Sequence, residues 1–280
     1  MPRWHIESRS PASLNSLCLL PIISPTNIVI LLGSSVAAGA INSVAGGGSF
    51  FTFPALIFAG LPSIAANATS TMGVWPGSLA SVAAYRKEIR REARRLPGLL
   101  VMSILGGVLG AGILLKTPQA TFDRVLPWLL LFATLSFAFG GKLTAWLRPA
   151  STASAPEARP RGFGIVTLLL QLFIAIYAGY FGGGAGILML AMLALAGMTE
   201  IHAMNGIKTL LATVANLIAL ITFISAGLVA WPQALLMMVG STCGGYGGAH
   251  FARKVNPKII KQFVIAFGAV LTVYFFFRSR

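Results

Sequence analysis

Two glycine triplets, Gly46-Gly47-Gly48 and Gly182-Gly183-Gly184, each stand directly before a short apolar segment and near a set of small polar side chains. In the first half of the chain these are Asn42, Ser43 and Ser49, then Asn67, Thr69, Ser70 and Thr71. In the second half they are Asn205, Lys208, Thr209, Thr213 and Asn216. Each glycine lowers helix stability by roughly 0.8–1.0 kcal/mol relative to Ala. A helix that restarts after such a break presents unbonded amide N–H groups and the positive end of its dipole. Amides, Asn and Thr donors and one lysine form a set suited to holding an anion. The competing reading is close helix packing through small residues. Recurrence of the break in both halves favours binding.

Lys208 is the most demanding residue of the set. It is embedded in NGIKTLLATVANLIALITF, away from the basic loops and the chain ends. An ionisable group there costs ~2.5–3.5 kcal/mol even on insertion scales and usually has a function. The alternative is a stem that snorkels to the nearer interface, since Glu200 is about two turns away. Asn67 and Asn205 stand at matching positions of the two halves. Steps of four from Asn205 to Thr209 to Thr213 place those side chains on one helical face. Ser and Thr can also spend their hydroxyls on the i−4 carbonyl. The candidate anion-binding residues are Asn42, Gly46, Gly47, Gly48, Ser49, Asn67, Thr69, Ser70, Gly182, Gly183, Gly184, Asn205, Lys208 and Thr209.

The residue types that are missing argue against other chemistry. All six acids (Glu7, Glu88, Glu92, Asp123, Glu157 and Glu200) lie in tails, loops or segment ends. A mid-membrane cation site or carboxylate relay would lack its usual ligand. There is no HExxH zinc motif, no GxSxG serine elbow and no pair of buried aspartates. His202 and His250 stand near segment ends. Cys18 and Cys243 are not spaced as metal ligands, and Cys243 is expected to pack inside a glycine-rich helix. The expectation is a protein that is not an enzyme and uses neither metal nor cofactor.

Composition says which elements must position these residues. Of 280 residues, 56% are hydrophobic and 10% charged, against about 25% charged in a soluble domain. Apolar segments run over 26–45, 49–60, 66–85, 96–115, 122–147, 163–181, 184–197, 202–226, 231–251 and 258–277. Most approach the ~20 residues of a spanning helix. The net charge of +15 gathers at segment ends, above all in Arg86-Lys87-Glu88-Ile89-Arg90-Arg91-Glu92-Ala93-Arg94-Arg95. That is a topology signal beside anionic headgroups, not a nucleic-acid surface. Residues 1–25, interrupted by Pro11, Pro21 and Pro25, read as an N-terminal tail, and 148–162 as a basic Pro/Ala/Ser linker. Residues 26–147 and 163–280 are then two membrane repeats.

The repeats can be aligned by eye. AGAINSVAGGGSFFTFPALIFAG, ending at Gly60, resembles AGYFGGGAGILMLAMLALAG, ending at Gly197. Gly106-Gly107-Val108-Leu109-Gly110 pairs with Gly244-Gly245-Tyr246-Gly247-Gly248, and Lys116-Thr117-Pro118 with Lys254-Val255-Asn256-Pro257. Five membrane segments in each half would invert the second half. With the N-terminus outside, loop 86–95, the linker and loop 252–261 then fall inside. Four crossings per half would put loop 252–261 opposite loop 86–95. The expected fold is an all-α polytopic transmembrane bundle of two pseudo-symmetric, inverted repeats, with four to five membrane segments each and eight to ten in all. Segments 49–60 and 184–197 are short and either span or re-enter.

The stretch AGAINSVAGGGSFFTFPALIFAGLPSIAANATSTMGVWPGSLASVAAYRKEI resembles the first signature of the TauE/SafE family of sulfite and organosulfur anion permeases. GGGAGILMLAMLALAGMTEIHAMNGIKTLLATVANLIALITFISAGLVAWPQALLMMVGSTCGGYGGAHFARKVNP resembles its second. The likeness covers roughly residues 28–278. The second glycine element departs from it by lacking a proline often found there, with Met189 to Met192 in that region. The resemblance implies a multi-pass protein of the bacterial inner membrane that moves sulfite, an organosulfonate or a related small carboxylate. The reading is a secondary transporter working by alternating access. Its rivals are a passive anion channel and a non-transporting scaffold or assembly factor. The expected partners are a small anionic substrate, the lipid bilayer and a coupling ion (proton or sodium), with no nucleic acid. A homodimer is left open.

Overall fold

A computed structural model of the chain describes residues 24–44, 47–146, 163–251 and 257–278. Residues 1–23 of the expected tail, Gly46 and the linker 148–162 lie outside the described residues. The described residues are helical throughout their ordered elements: α1 (Pro25–Val44), α2 (Ser49–Phe58), α3 (Ser63–Ala84), α4 (Arg86–Glu92), a 3-10 turn (Ala93–Arg95), α5 (Pro97–Lys116), α6 (Gln119–Trp146), α7 (Ile165–Tyr180), α8 (Ala185–Leu195), α9 (Ile201–Ser225), α10 (Trp231–Phe251) and α11 (Pro257–Arg278). Each apolar segment read from the sequence coincides with one of these helices. The basic loop 86–95, expected to be irregular, forms α4 and the turn after it.

The pattern of exposure is that of a membrane protein. Among the described residues four helices are long and apolar enough to cross a bilayer: Pro25–Asn42 of α1, all of α5, Gln119–Gly140 of α6 and all of α9. Shorter apolar stretches make up α2, α7, α8 and Gln262–Phe277 of α11. On α5, Val101, Ile104, Leu105, Val108 and Leu109 are about half exposed, a cost in water but not against lipid tails. The interior holds an aromatic cluster in which Phe50 meets Phe137 edge-on and Phe53 meets Phe181. The chain is a multi-pass helical membrane protein.

Helices of the first half pack chiefly on helices of the second. The two largest interfaces are α1 with α10 and α5 with α7, followed by α3 with α10 and α5 with α9. Both leading interfaces are closed by glycines. A Cβ on Gly39 would lie 2.7 Å from the Gly245 nitrogen, and one on Gly179 would lie 2.7 Å from the Gly107 oxygen. Cβ atoms at Gly244 and Gly110 would run into the backbone carbonyls of Val36 and Ile176. Small residues let backbones approach in this way, and the gain is dispersion contact.

These contacts correct the residue pairing drawn from sequence. Gly106 faces the Leu172 carbonyl as Gly240 faces that of Leu32, and Gly110 faces Ile176 as Gly244 faces Val36. By these contacts Gly106 takes the place against α7 that Gly240, one helical turn before Gly244, takes against α1. A run of glycines offers two registers that a one-turn slip interconverts, and only the facing helix distinguishes them. The same packing corrects Cys243. It is exposed, because the face of α10 that packs carries Gly240, Ser241, Gly244 and Gly245.

Helix ends also correspond. α2 closes with Leu61 N–H donating to Leu56 O (3.0 Å) and Gly60 N–H to Ile57 O (3.0 Å). α8 closes with Met198 N–H to Leu193 O (3.1 Å) and Gly197 N–H to Ala194 O (3.0 Å), the same double-bonded glycine terminus. α9 starts differently: Glu200 accepts from the N–H groups of His202 and Ala203. Those two bonds, with smaller pulls from His202 and Arg91, hold its carboxyl below the usual carboxylate range.

Candidate functional site

The cavity follows from how α3 and α9 cross. The Trp75 Nε1–H donates to the Thr213 carbonyl at 3.2 Å, and the start of α9 at Gly206 lies against Tyr85 and Ile89 beyond the end of α3. The two helices are thus antiparallel, and their facing sides carry residues at steps of three and four. On α3 these are Thr71, Trp75, Ser78 and Ser81; on α9 they are Lys208, Thr209, Ala212 and Asn216. The glycine breaks complete the wall, with Gly47 and Ser49 on one side and Gly182, Ala185 and Gly186 on the other. Asn42 lines it from α1, with Nδ2–H donating to Ser78 Oγ at 2.9 Å. The cavity is about 60 Å³, room for a few waters or a small ion, one water needing ~10–15 Å³.

The chemistry of that wall is one-sided. Among the described residues Lys208 is the only charged one lining it. It is 5% exposed, and among the described residues it makes no hydrogen bond or ion pair. Its stem passes over Gly186, where a Cβ would stand 3.3 Å from the lysine Cδ. Snorkelling to the surface, the alternative weighed from sequence, does not fit this burial. Neither α2 nor α8 has a side-chain N-cap bond. The N–H groups of Phe50, Phe51 and Thr52 donate to the Gly47 and Gly48 carbonyls, and those of Ala185 and Ile187 to the Gly182 and Gly184 carbonyls. The helix-start amides that line the cavity without such a bond among the described residues are therefore those of Ser49 and Gly186. The break before α8 needs glycine at Gly182 (φ 81°) and Gly184 (φ 78°), both left-handed.

The sequence-selected residues divide into two groups. Asn42, Gly47, Ser49, Gly182, Lys208 and Thr209 meet around the cavity. The others are elsewhere. Gly48 packs on Ala38, the Gly183 carbonyl accepts from the Tyr177 hydroxyl (2.5 Å), and Gly184 faces Ala133. Asn205 does not reach the wall; its carbonyl accepts from Thr209 Oγ1 at 2.7 Å. Asn67, Thr69 and Ser70 fall on the first two turns of α3, before Thr71, and do not line the cavity. There Asn67 Nδ2–H donates to the last carbonyl of α7, Tyr180 O, at 3.0 Å. Thr69 Oγ1 accepts from Ala230 N–H at 3.0 Å, and Ser70 and Thr52 share a hydroxyl bond of 2.6 Å. Below them Ser63, Gln119 and Asp123 form a polar knot joining α3 to α6. Asn67→Leu is accordingly expected to orphan the Tyr180 carbonyl and cost about 1–3 kcal/mol of stability. Thermal melting in detergent reads this, and anion affinity per folded molecule should be unchanged.

Sequence reasoning missed Trp75, Ser78, Ser81, Phe181 and Gly186, and left Thr71 and Asn216 out of the chosen set. Steps of four taken from Lys208 reach Ala212 and Asn216; steps of four from Asn205 reach Thr209, which lines the chamber, and then Thr213, which does not.

A bundle of apolar helices around a small polar chamber, lined among the described residues by one buried cation, is the architecture of a membrane carrier or pore for a small solute. Comparison with known proteins agrees in kind. The sequence profile described as Sulfite exporter TauE/SafE matches residues 31–275, and the chain belongs to that family. A probable membrane transporter protein of Haemophilus influenzae is 27% identical over 246 residues, covering 88% of this chain and 92% of that protein. Probable membrane transporter protein ORF9 of a Sinorhizobium species is 30% identical over 247 residues (88% and 91%). Probable membrane transporter protein YfcA of Escherichia coli K12 is 27% identical over 272 residues (96% and 95%). No solved structure matches the chain.

Proposed function

We propose that the chain is a secondary transporter that carries a small anion across the bacterial inner membrane by alternating access. The substrate class is sulfite, an organosulfonate or a related small carboxylate. The observation that carries the reading is the meeting of both glycine breaks with Lys208 in one chamber. The lysine supplies a charge, the helix starts supply the amides of Ser49 and Gly186, and Asn42, Ser49, Thr71 and Asn216 supply neutral side-chain donors and acceptors around it. The family name supports sulfur oxyanions as cargo, and the relatives' names support transport.

Alternating access is favoured over an open pore by the asymmetry of the chamber. From Thr71 to Ser81 its wall runs toward the α4 end. At the other end Asn67, Thr69, Ser70 and Ser63 are engaged in hydrogen bonds to neighbouring elements, and in the proposed cycle these bonds are the closure. Inverted repeats would let that closure pass to the opposite end by rocking one half against the other; the exchanged partners of α1, α5, α7 and α10 support this arrangement. The test is a thermal-shift screen of the purified protein against sulfite, sulfoacetate, taurine, thiosulfate and small carboxylates, followed by flux in proteoliposomes. Saturable flux that follows an ion gradient is expected. Stabilisation by none of these anions, or flux that never saturates, would overturn the reading. Gly186→Val should weaken binding by about 1–3 kcal/mol by displacing the lysine stem, with little loss of folded protein; an unchanged binding isotherm would remove Gly186 from the site.

A further inference from the structure

The cations of α4 take no part in the cavity. Arg86, Lys87, Arg90 and Arg91 of α4, and Arg94 in the 3-10 turn that continues it, are all exposed, while Arg95 of that turn pairs with Glu92 at 3.6 Å. Steps of three and four gather the exposed cations on one side of the helix. The other side is given to contact. Tyr85 Cβ and Ile89 Cγ1 each lie 3.2 Å from where a Cβ of Gly206 would stand, and Glu88 Cβ lies 3.7 Å from it. Arg91 is also near enough to Glu200, the cap of α9, to act on its carboxylate. A two-faced element therefore lies on the first turns of α9, two residues before Lys208.

The position of this face selects its partner. α5, one of the long apolar helices, begins at Pro97, directly after the turn that follows α4. The cations thus stand at the edge of an apolar span, the level of phospholipid phosphates. A soluble protein or nucleic acid would have to reach them at the bilayer surface, where anionic lipid is already concentrated. We propose that the cationic face of α4 binds the phosphates of anionic phospholipids, and that this docking holds the first turns of α9 in place through the contact at Gly206. The membrane's surface charge is thereby linked to the helix that carries the cavity lysine. The proposal stands whatever the cavity transports, because its readout is local order and not flux.

The experiment is amide hydrogen exchange on the full chain in vesicles of phosphatidylcholine alone or mixed with phosphatidylglycerol. Phosphatidylglycerol should slow exchange severalfold both at 86–95 and at 201–207, and added salt should reverse the effect. Arg90→Gln, Arg91→Gln and Arg94→Gln together should abolish it, each change weakening headgroup binding about fivefold. Lysine at the same three positions preserves charge and topology signal and should retain it. Equal exchange in both lipids, or slowing that survives the glutamine changes, would overturn the proposal. Slowing confined to 86–95 would overturn the link to α9. Glycerol phosphate in solution should not reproduce the effect; if it does, the ligand is free phosphate and the lipid assignment fails.

Discussion

Lys208→Ala should remove most of the protein's affinity for its anion while leaving folded yield intact. A hydrogen bond to a charged group contributes about 1.5–3 kcal/mol, hence roughly 10- to 150-fold in the binding constant. The fold should tolerate the change because Lys208 has no hydrogen-bond or ion-pair partner among the described residues to be left stranded. Its removal also relieves the burial of a charge in a nearly closed chamber. The measurement is the ligand-dependent thermal shift together with flux at matched expression. Equal transport by wild type and variant at equal expression would sink the assignment of the chamber. Lys208→Arg should recover only part of the affinity, since the guanidinium is a planar fork and the space over Gly186 admits a thin stem.

The second large effect is structural. Gly110→Ala and Gly244→Ala should each cost about 1–3 kcal/mol or more, because the added methyl meets a backbone carbonyl and not a side chain that can turn aside. Relief requires α5 to leave α7, or α10 to leave α1. Gly112→Ala on α5 and Gly33→Ala on α1 are the matched controls. A Cβ at either meets nothing within 4 Å, so these should stabilise by up to ~1 kcal/mol through helix propensity. Melting temperatures of the four purified variants decide the matter. If Gly110→Ala and Gly112→Ala melt alike, the close approach of α5 and α7 is not as described.

Much of this architecture could be read from residue order. Apolar length and glycine punctuation placed α1 to α3 and α5 to α11, because in lipid the backbone has few alternatives to helix. Lys208 and both breaks were found because a lone charge and a repeated defect are costly and so conspicuous. What could not be read was how far along each helix the chamber reaches. Asn67 and Thr71 are one turn apart on α3, yet one seals α7 and the other lines the chamber. Both are small and polar, and no local preference separates them. α4 was missed as a helix for a related reason: its charged face answers to the bilayer and its inner face to Gly206, and neither partner is adjacent in sequence. The one-turn slip in pairing Gly106 has the same origin, since a glycine-rich helix matches itself at several offsets.

The exchange of partners between halves bears on how the protein is made. When α5 has entered the bilayer, α7 has not yet been synthesised, and α1 waits longer still for α10. During that interval two glycine-lined grooves face lipid, which cannot fill them as a helix does. Assembly is therefore a late event: the chain is threaded first and zipped afterwards, with α10 closing the older of the two grooves and α11 then packing on α6. Two separately expressed halves, 1–155 and 156–280, should consequently rescue one another when made in the same cell, and neither should persist alone.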